Sequence, residues 1–128
     1  MSACPFCQPP ETPIAENEVA LAIDDKYPVS LGHCLIVSRR HVSSIFALPV
    51  EDYLGCFQLV RAAQEMLERR YSPAGFNLVV NSGTAAGQTV EHAHIHVVPR
   101  FEGDLLQLKM LRREAAQSSE NSDSGLNL

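Results

Sequence analysis

The sequence predicts an α+β domain in which antiparallel strands carry one long helix. Short apolar segments bounded by Pro, Gly and polar residues favour strands, and one long segment between them has helical periodicity. Strands on both sides of such a helix give a sheet with helical cover on one face. The chain has 128 residues, of which 45% are hydrophobic, as expected for one compact domain. We assign residues 1–117 to that domain and the polar, aperiodic residues 118–128 to a C-terminal tail.

The first half of the chain contains two predicted strands. The first runs from Val19 to Asp24, and the second is the apolar run from Leu31 to Ser38. Tyr27-Pro28 interrupts the chain between them. We therefore expect an antiparallel hairpin with a loop of medium length.

The clearest element is a long amphipathic helix from about Pro49 to Tyr71. Acidic residues in its first turn and basic residues in its last turn complement the helix dipole. Ser72-Pro73-Ala74-Gly75 ends it. Its apolar side chains recur at spacings of three, four and seven, and they are Tyr53, Phe57, Val60, Leu67 and Tyr71.

A row of histidines follows the helix. After a third predicted strand at Phe76–Asn81 and a loop of small residues, the segment G-Q-T-V-E-H-A-H-I-H-V-V-P-R places His92, His94 and His96 two residues apart. Side chains of a strand alternate between faces, so these three imidazoles are expected to share one face. Histidine serves as metal ligand, general acid or base, or nucleophile, so this row indicates a functional site.

Two kinds of chemistry fit this row. Three histidines on one face could hold a zinc ion with an open water position, as in a metal-dependent hydrolase. The residues that precede the row favour phosphate instead, because glycine backbones and neutral amide or hydroxyl groups suit phosphate oxygens. A neutral histidine beside such donors can attack phosphorus and form a phosphoramidate. These donor residues are Asn81, Gly83, Gly87, Gln88 and Thr89.

Charge and cysteine content restrict the partners. A formal net charge of -5 argues against binding a nucleic-acid polymer. Without an apolar run of about 18 residues or a signal-peptide pattern, we expect a cytoplasmic protein with no membrane contact. Cys4 and Cys7 form a C-x-x-C pair typical of metal or redox chemistry, whereas Cys34 and Cys56 lie in apolar contexts that predict buried thiols.

The motifs together resemble a known family. H-A-H-I-H-V-V, preceded by A-G-Q-T-V, is similar to the signature of the histidine triad (HIT) superfamily of nucleotide hydrolases and transferases. L-G-H-C-L-I-V-S-R-R-H-V resembles its G-H segment, and L-A-I-D-D-K-Y-P its ribose-contacting strand end. The resemblance covers about residues 1 to 103 and is closest to a bacterial, dinucleoside-polyphosphate hydrolase-like branch. It implies an antiparallel sheet of about five strands with the long amphipathic helix packed on it.

The resemblance also implies an activity. His94 would attack the α-phosphate of an adenine nucleotide, either a dinucleoside polyphosphate or a nucleoside phosphoramidate, and water would hydrolyse the nucleotidyl-histidine. His96 would contact the phosphate and the leaving group, and His33 would support the site from the neighbouring strand. The implied phosphate contacts are Asn81, Gly87, Gln88 and Thr89, the implied ribose contact is Asp25, and the implied purine wall lies near Val19, Leu21, Ile23 and Leu35.

A structural zinc ion and a second copy of the chain complete the implied features. Several relatives hold zinc through residues that match Cys4, Cys7, His41 and His92 here, a set suited to closed tetrahedral coordination. No organic cofactor is implied. Members of the family form two-fold dimers, so a homodimer is expected. Two alternatives remain open: a nucleotide-binding regulatory protein with little turnover, and the metal-dependent hydrolase described above.

Overall fold

The computed structural model describes residues 4–8, 10 and 12–104. The predicted tail at 118–128, and the predicted domain beyond residue 104, lie outside the described residues. Five strands form one antiparallel sheet in the order β1-β2-β3-β5-β4, which confirms the predicted fold class. The strands are β1 (Ala15–Glu16), β2 (Ala20–Asp24), β3 (Cys34–Ser38), β4 (Gly75–Val79) and β5 (His94–Arg100), and the helix α1 spans Val50–Tyr71.

Several boundaries differ from the prediction for local reasons. The two-residue strand β1 has too short a pattern to detect. Strand β2 begins at Ala20 rather than Val19, because the Asn17 side-chain oxygen accepts from both backbone N–H groups at 3.0 and 2.9 Å and holds them in a turn. Strand β3 begins at Cys34 because the residues before it form a turn through Gly32, whose φ is +85°.

The register of β5 decides which residues enter the core. β5 lies between β3 and β4, and its His96 is paired with Leu35 on one side and Val79 on the other. Alternation places Ile95 and Val97 on the opposite face, where α1 packs. The histidine face therefore lies on the side of the sheet away from the helix. The core comprises Ala20, Ala22, Cys34, Ile36, Ala93, Ile95 and Val97 from the sheet side with Cys56, Leu59, Val60, Ala63 and Leu67 from α1.

Helix α1 approaches the β1–β2 turn closely at Gly55. The Asn17 side-chain amide donates to the Gly55 carbonyl at 2.8 Å, and a Cβ atom at Gly55 would lie 2.2 Å from a methyl of Val19. A glycine inside the helix is therefore required by packing. No helix among the described residues combines the length and hydropathy needed to cross a bilayer.

The two isolated cysteines are buried, as predicted. Cys34 is 0% exposed and Cys56 is 1% exposed. Burial raises the pKa of the Cys34 thiol to about 12 and that of Cys56 to about 11. Both thiols therefore stay protonated at neutral pH and act as small apolar side chains.

Candidate active site

The predicted row of three histidines divides at the start of β5. His94 and His96 lie within the strand, but His92 precedes it, so the expectation that all three share one strand face is wrong. The His92 N–H donates to the Val90 carbonyl at 2.9 Å in a bend before the strand, and its side chain lies with those of Cys4, Cys7 and His41. All three imidazoles are buried. Two histidines therefore lie on one face of β5, and the third belongs to a separate cluster.

Hydrogen bonding fixes the tautomer of His94. Its Nδ1 lies 2.7 Å from the backbone carbonyl of His92, which can only accept. Nδ1 therefore carries the proton, and Nε2 keeps its lone pair. That Nε2 is buried and has no hydrogen-bond partner among the described residues. A neutral imidazole with a free Nε2 lone pair is a competent nucleophile.

A second chain of contacts gives His96 the opposite tautomer. The Val29 N–H donates to His33 Nδ1 at 3.1 Å, so neutral His33 carries its proton on Nε2. His33 Nε2 lies 3.0 Å from His96 Nδ1 and donates to it. The proton of neutral His96 is then on Nε2, which is also buried and unpaired within the described part of the chain. His96 thus presents an N–H donor beside the His94 lone pair, with the two ring centroids 5.2 Å apart.

Burial keeps these imidazoles neutral. It lowers the pKa values of His33, His92 and His94 below the ordinary value, although the Asp25 carboxylate acts in the opposite direction on His33 and His94. Burial lowers the pKa of His96 to about 4, and the neighbouring His94 and His33 also oppose its protonation. The tautomers described above therefore persist at neutral pH.

Asp25 lies closer to the histidines than a simple ribose contact requires. It is 8% exposed, and its Oδ1 accepts from the Tyr27 N–H at 2.8 Å. Its Oδ2 lies 3.2 Å from His33 Nε2 and 3.8 Å from His96 Nδ1. These three residues could hold a cation, but the His33–His96 distance is also explained by one shared proton. Asp25 therefore accepts a hydrogen bond within the turn and lies beside the His33–His96 hydrogen bond.

The loop before β5 is held together by its own polar groups. The Gln88 amide donates to the carbonyls of Ser43 and Val90 at 2.6 and 2.8 Å, and its oxygen accepts from the Gly83 N–H at 2.8 Å. The Gly87 N–H donates to Thr84. The predicted phosphate donors Gln88 and Gly87 therefore brace the loop in this structure.

Asn81 differs from the other predicted loop donors. It lies two residues beyond the end of β4 at Val79, which is paired with His96. Its Nδ2 is buried and unpaired among the described residues. Thr89 is exposed at the end of the loop. Asn81 is thus a predicted donor whose buried amide N–H has no partner among the described residues.

An apolar pocket of about 580 Å³ is lined by Asp25, which lies 3.8 Å from His96, and by Phe6, whose ring packs on His94. Ile23 and Leu35 of the implied purine wall line it, together with Asp25, the implied ribose contact. Leu21 and Val19 of the implied wall are not among its lining residues, and Val19 packs toward Gly55 on the helix side. The opposite wall comes from the N-terminal segment and was not predicted, since no local pattern connects it with the sheet. The wall residues missed by sequence are Pro5, Phe6, Gln8, Pro10, Thr12, Ile14, Asp24, Lys26, Tyr27 and Val90.

The second cluster gathers the four predicted metal ligands. The ligand atoms of Cys4, Cys7, His41 and His92 all lie within 4.8 Å of one another. His92 Nδ1 is 3.3 Å from Cys4 Sγ and 3.1 Å from His41 Nδ1. A tetrahedral zinc ion separates sulfur and nitrogen ligands by roughly 3.3–3.6 Å, so this cluster could hold a metal ion.

The tautomer of His92 suits a metal ligand. Its Nε2 lies 2.6 Å from the Ser38 carbonyl and must donate to it, which leaves the Nδ1 lone pair for the cluster. Such an outer hydrogen bond is the usual way in which proteins orient a ligating histidine. The donor set and its geometry therefore both fit a closed metal site.

Comparison with known proteins adds independent findings. The family model described as the HIT domain matches residues 8–103. An uncharacterized HIT-like protein of Mycoplasma pneumoniae is 39% identical over 92 residues, covering 72% of this chain and 64% of that protein. The asymmetrical bis(5'-nucleosyl)-tetraphosphatase of Schizosaccharomyces pombe is 30% identical over 105 residues, covering 82% and 58%. The chain spans less than two thirds of the length of both relatives.

A solved structure agrees in fold and carries a metal. The crystal structure of a zinc-bound histidine triad family protein from Mycobacterium smegmatis has a TM-score of 0.72 at 33% identity. The match covers 80% of this chain and 78% of that one.

Lowering the pH is expected to destabilise the protein through His96. An unfolded histidine binds a proton near pH 6.5, whereas His96 in the fold does so only near pH 4. The unfolded state therefore binds more protons between these values, and stability falls as the pH drops. From pH 7 to pH 5 the His96 contribution is about 2 kcal/mol of unfolding free energy. The free energy of unfolding, measured by urea titration, should depend less steeply on pH in His96→Asn than in the wild type. Above about pH 7.5 the two plots of this free energy against pH should run parallel. Equal slopes between pH 7 and 5 would contradict a buried, neutral His96.

Proposed function

The chain belongs to the HIT family, and from this we propose that it is a nucleotidyl hydrolase or transferase acting on the α-phosphate of adenine nucleotides. One observation carries the proposal. The buried Nε2 atoms of His94 and His96 present a lone pair and an N–H donor side by side, and no described residue uses either atom. An unpaired buried polar atom carries a cost in free energy, so a ligand that pairs both atoms is favoured.

The proposed reaction has two displacements at one phosphorus atom. In the first, the Nε2 lone pair of His94 forms a bond to the α-phosphorus, and the leaving group departs with the electrons of the broken bond. In the second, water attacks the same phosphorus, the P–N bond breaks, and a proton of the water passes to solvent. The product is a nucleoside monophosphate, and His94 recovers its lone pair.

Two donors support the charge that develops on the phosphate oxygens. The His96 Nε2–H, on the same strand face as His94, and the Asn81 amide, two residues beyond the strand partner of His96, are both buried without partners among the described residues. Donors that are fixed before the reaction stabilise the transition state without reorganisation. His96 can also pass its proton to an amine leaving group, with His33 behind it. Phosphate contacts by Gly87, Gln88 and Thr89 stay predictions.

The pocket favours a nucleotide as substrate. Its walls are mostly apolar and include Ile23 and Leu35, which suit a purine, while Asp25 lies at its polar end. The tetraphosphatase of S. pombe, by its name, acts on a bis-nucleosyl tetraphosphate. We therefore propose a dinucleoside polyphosphate as the first substrate to test and a nucleoside phosphoramidate as the second. A protein that binds nucleotides without turnover would bind AMP yet release none from either substrate.

Replacing the nucleophile should remove the covalent intermediate. His94→Ala is expected to lower the rate of AMP release from diadenosine tetraphosphate by about 10⁴-fold or more, as removal of a nucleophile does in other enzymes. Mass spectrometry of quenched wild-type reactions should detect one adenylyl group on His94. His96→Asn should slow turnover while still forming this adduct, which makes it the matched control. Full activity of His94→Ala would exclude the proposed nucleophile.

We also propose that the ion in the Cys4, Cys7, His41 and His92 cluster is zinc with a structural role. Two sulfur and two nitrogen ligands form a closed set with no position for water. When bound, zinc would hold the N-terminal segment to the loop before β5. A reduced cysteine pair is consistent with the cytoplasmic location expected from the sequence.

Zinc content provides a direct test of this cluster. Elemental analysis of the purified protein is expected to give about one zinc ion per chain. Cys7→Ser should lose most of the metal, because one of four ligands is replaced by a weak one. Cys56→Ala, which removes a buried thiol elsewhere, should keep it. Diadenosine tetraphosphate hydrolysis that persists after complete zinc removal from folded protein would exclude the metal-dependent hydrolase. Protein that binds no zinc when supplied with it would contradict the assignment.

A homodimer is proposed through the exposed apolar surface at the start of α1. Phe46, Val50 and Leu54 are 73%, 71% and 57% exposed and lie four residues apart. Residues four apart share one side of a helix, so Val50 and Leu54 form a continuous apolar surface. Exposed apolar patches of this kind mark protein interfaces.

Light scattering after gel filtration tests the dimer. The wild type is expected to have twice the mass of one chain, and Leu54→Glu should shift it to the mass of one chain by placing a charge in the apolar interface. Arg70→Glu changes the charge at an exposed position in the last turn of α1, at the other end of the helix from Leu54, and should leave the dimer intact. A wild-type protein of single-chain mass at micromolar concentration would rule the dimer out.

A further inference from the structure

The side chain of Phe6 contacts both the proposed metal site and the proposed nucleophile, His94. Phe6 lies between two of the ligands, Cys4 and Cys7, in the short turn Pro5–Cys7. Its ring lies 5.1 Å from the His94 ring between centroids, with the planes at 69°, and 5.8 Å from the His92 ring. Edge-to-face packing of this kind restricts the orientation of both partners.

A second contact joins the same two sites. The carbonyl of His92 accepts the hydrogen bond from His94 Nδ1 at 2.7 Å, which sets the tautomer of the nucleophile. The side chain of His92 belongs to the metal cluster. The metal cluster thus borders His94 on one side through Phe6 and on another through the His92 backbone.

Phe6 is at the same time part of the pocket wall. Together with Pro5 and Gln8 it lines the pocket opposite Ile23 and Leu35. Within the described residues, the polar contacts between residues 4–8 and the rest of the chain all run through the two sulfur atoms, which lie near His41 and His92. A three-residue 3₁₀ turn has little stability of its own. The position of this wall therefore depends on what those sulfur atoms bind.

We propose that Phe6 couples metal binding to nucleotide binding, so that it acts as a positioning residue for His94 and as one wall of the base pocket. A metal ion bound by the four ligands would fix the turn and so keep the Phe6 ring in contact with His94 and in the pocket wall. A wall that is already fixed lowers the entropic cost of binding the nucleotide. This inference rests on the proposed function, because it takes the pocket to be the nucleotide site.

Coupling of two sites is reciprocal, which gives a readout independent of turnover. If zinc strengthens AMP binding, AMP must strengthen zinc binding by the same factor. The zinc affinity is measured by competition with a chromogenic chelator, with and without AMP at a fixed multiple of each variant's own dissociation constant. For the wild type we expect AMP to tighten zinc binding by roughly tenfold.

Variants of Phe6 separate this role from a purely structural one. Phe6→Ala should still bind zinc in the absence of AMP, since all four ligands remain, but AMP should change its zinc affinity by less than about twofold. Phe6→Tyr keeps the ring and should keep the coupling. Tyr27→Ala is the matched control, because Tyr27 lines the pocket, is 79% exposed and does not belong to the cluster of four metal ligands. It should weaken AMP binding and leave the coupling unchanged.

The outcomes distinguish the two proposals. Zinc-loaded wild type that does not bind AMP overturns the proposed function and this inference with it. AMP binding that leaves the zinc affinity unchanged overturns the inference alone. If AMP still tightens zinc binding in Phe6→Ala, the two sites are coupled but the proposed role of Phe6 is overturned. If Phe6→Ala does not fold, Phe6→Leu fills similar space without a ring, and its coupling must fall below that of Phe6→Tyr.

Discussion

The register of β5 between β3 and β4 is the constraint on which the rest of this structure depends. His96 is paired with Leu35 and Val79, and His94 with Val37. A shift by one residue would move both imidazoles into the core under α1 and expose Ile95. Because Ile95 and Val97 are completely buried against the helix, the apolar packing that stabilises the domain also holds the histidines on the other face. Stability and site geometry are consequences of the same pairing.

Hydrogen bonds from the backbone then give each histidine a different chemical form. A carbonyl can only accept and an amide N–H can only donate, so the partner of one ring nitrogen decides what the other can do. The His92 carbonyl leaves a lone pair on His94, and the Val29 N–H acts through His33 to leave a proton on His96. Burial keeps all of these rings neutral. Chemically identical side chains acquire complementary roles because their backbone neighbours differ.

The elements with strong local periodicity could be predicted, and their ends could not. The spacing in α1 predicted a helix from about Pro49, and it begins at Val50. The third strand was predicted at Phe76–Asn81, and β4 runs from Gly75 to Val79. His92 was expected on the strand face with His94, but a local hydrogen bond to Val90 places it in a turn. Such ends depend on single hydrogen bonds, which carry no periodic signal.

The sequence by itself determined the fold class and the placement of His94 and His96 on one face, because these follow from periodicity and alternation, while the resemblance to the HIT family supplied the candidate ligand residues. Only the tertiary structure brought Cys4 within 3.3 Å of His92, 88 positions away, and placed Phe6 against His94. It also turned the Gln88 amide into the loop, where two carbonyls accept from it. The physical reason is the separation along the chain. Alternation relates residues that are neighbours in sequence, whereas contacts between distant segments exist only after the sheet has brought those segments together.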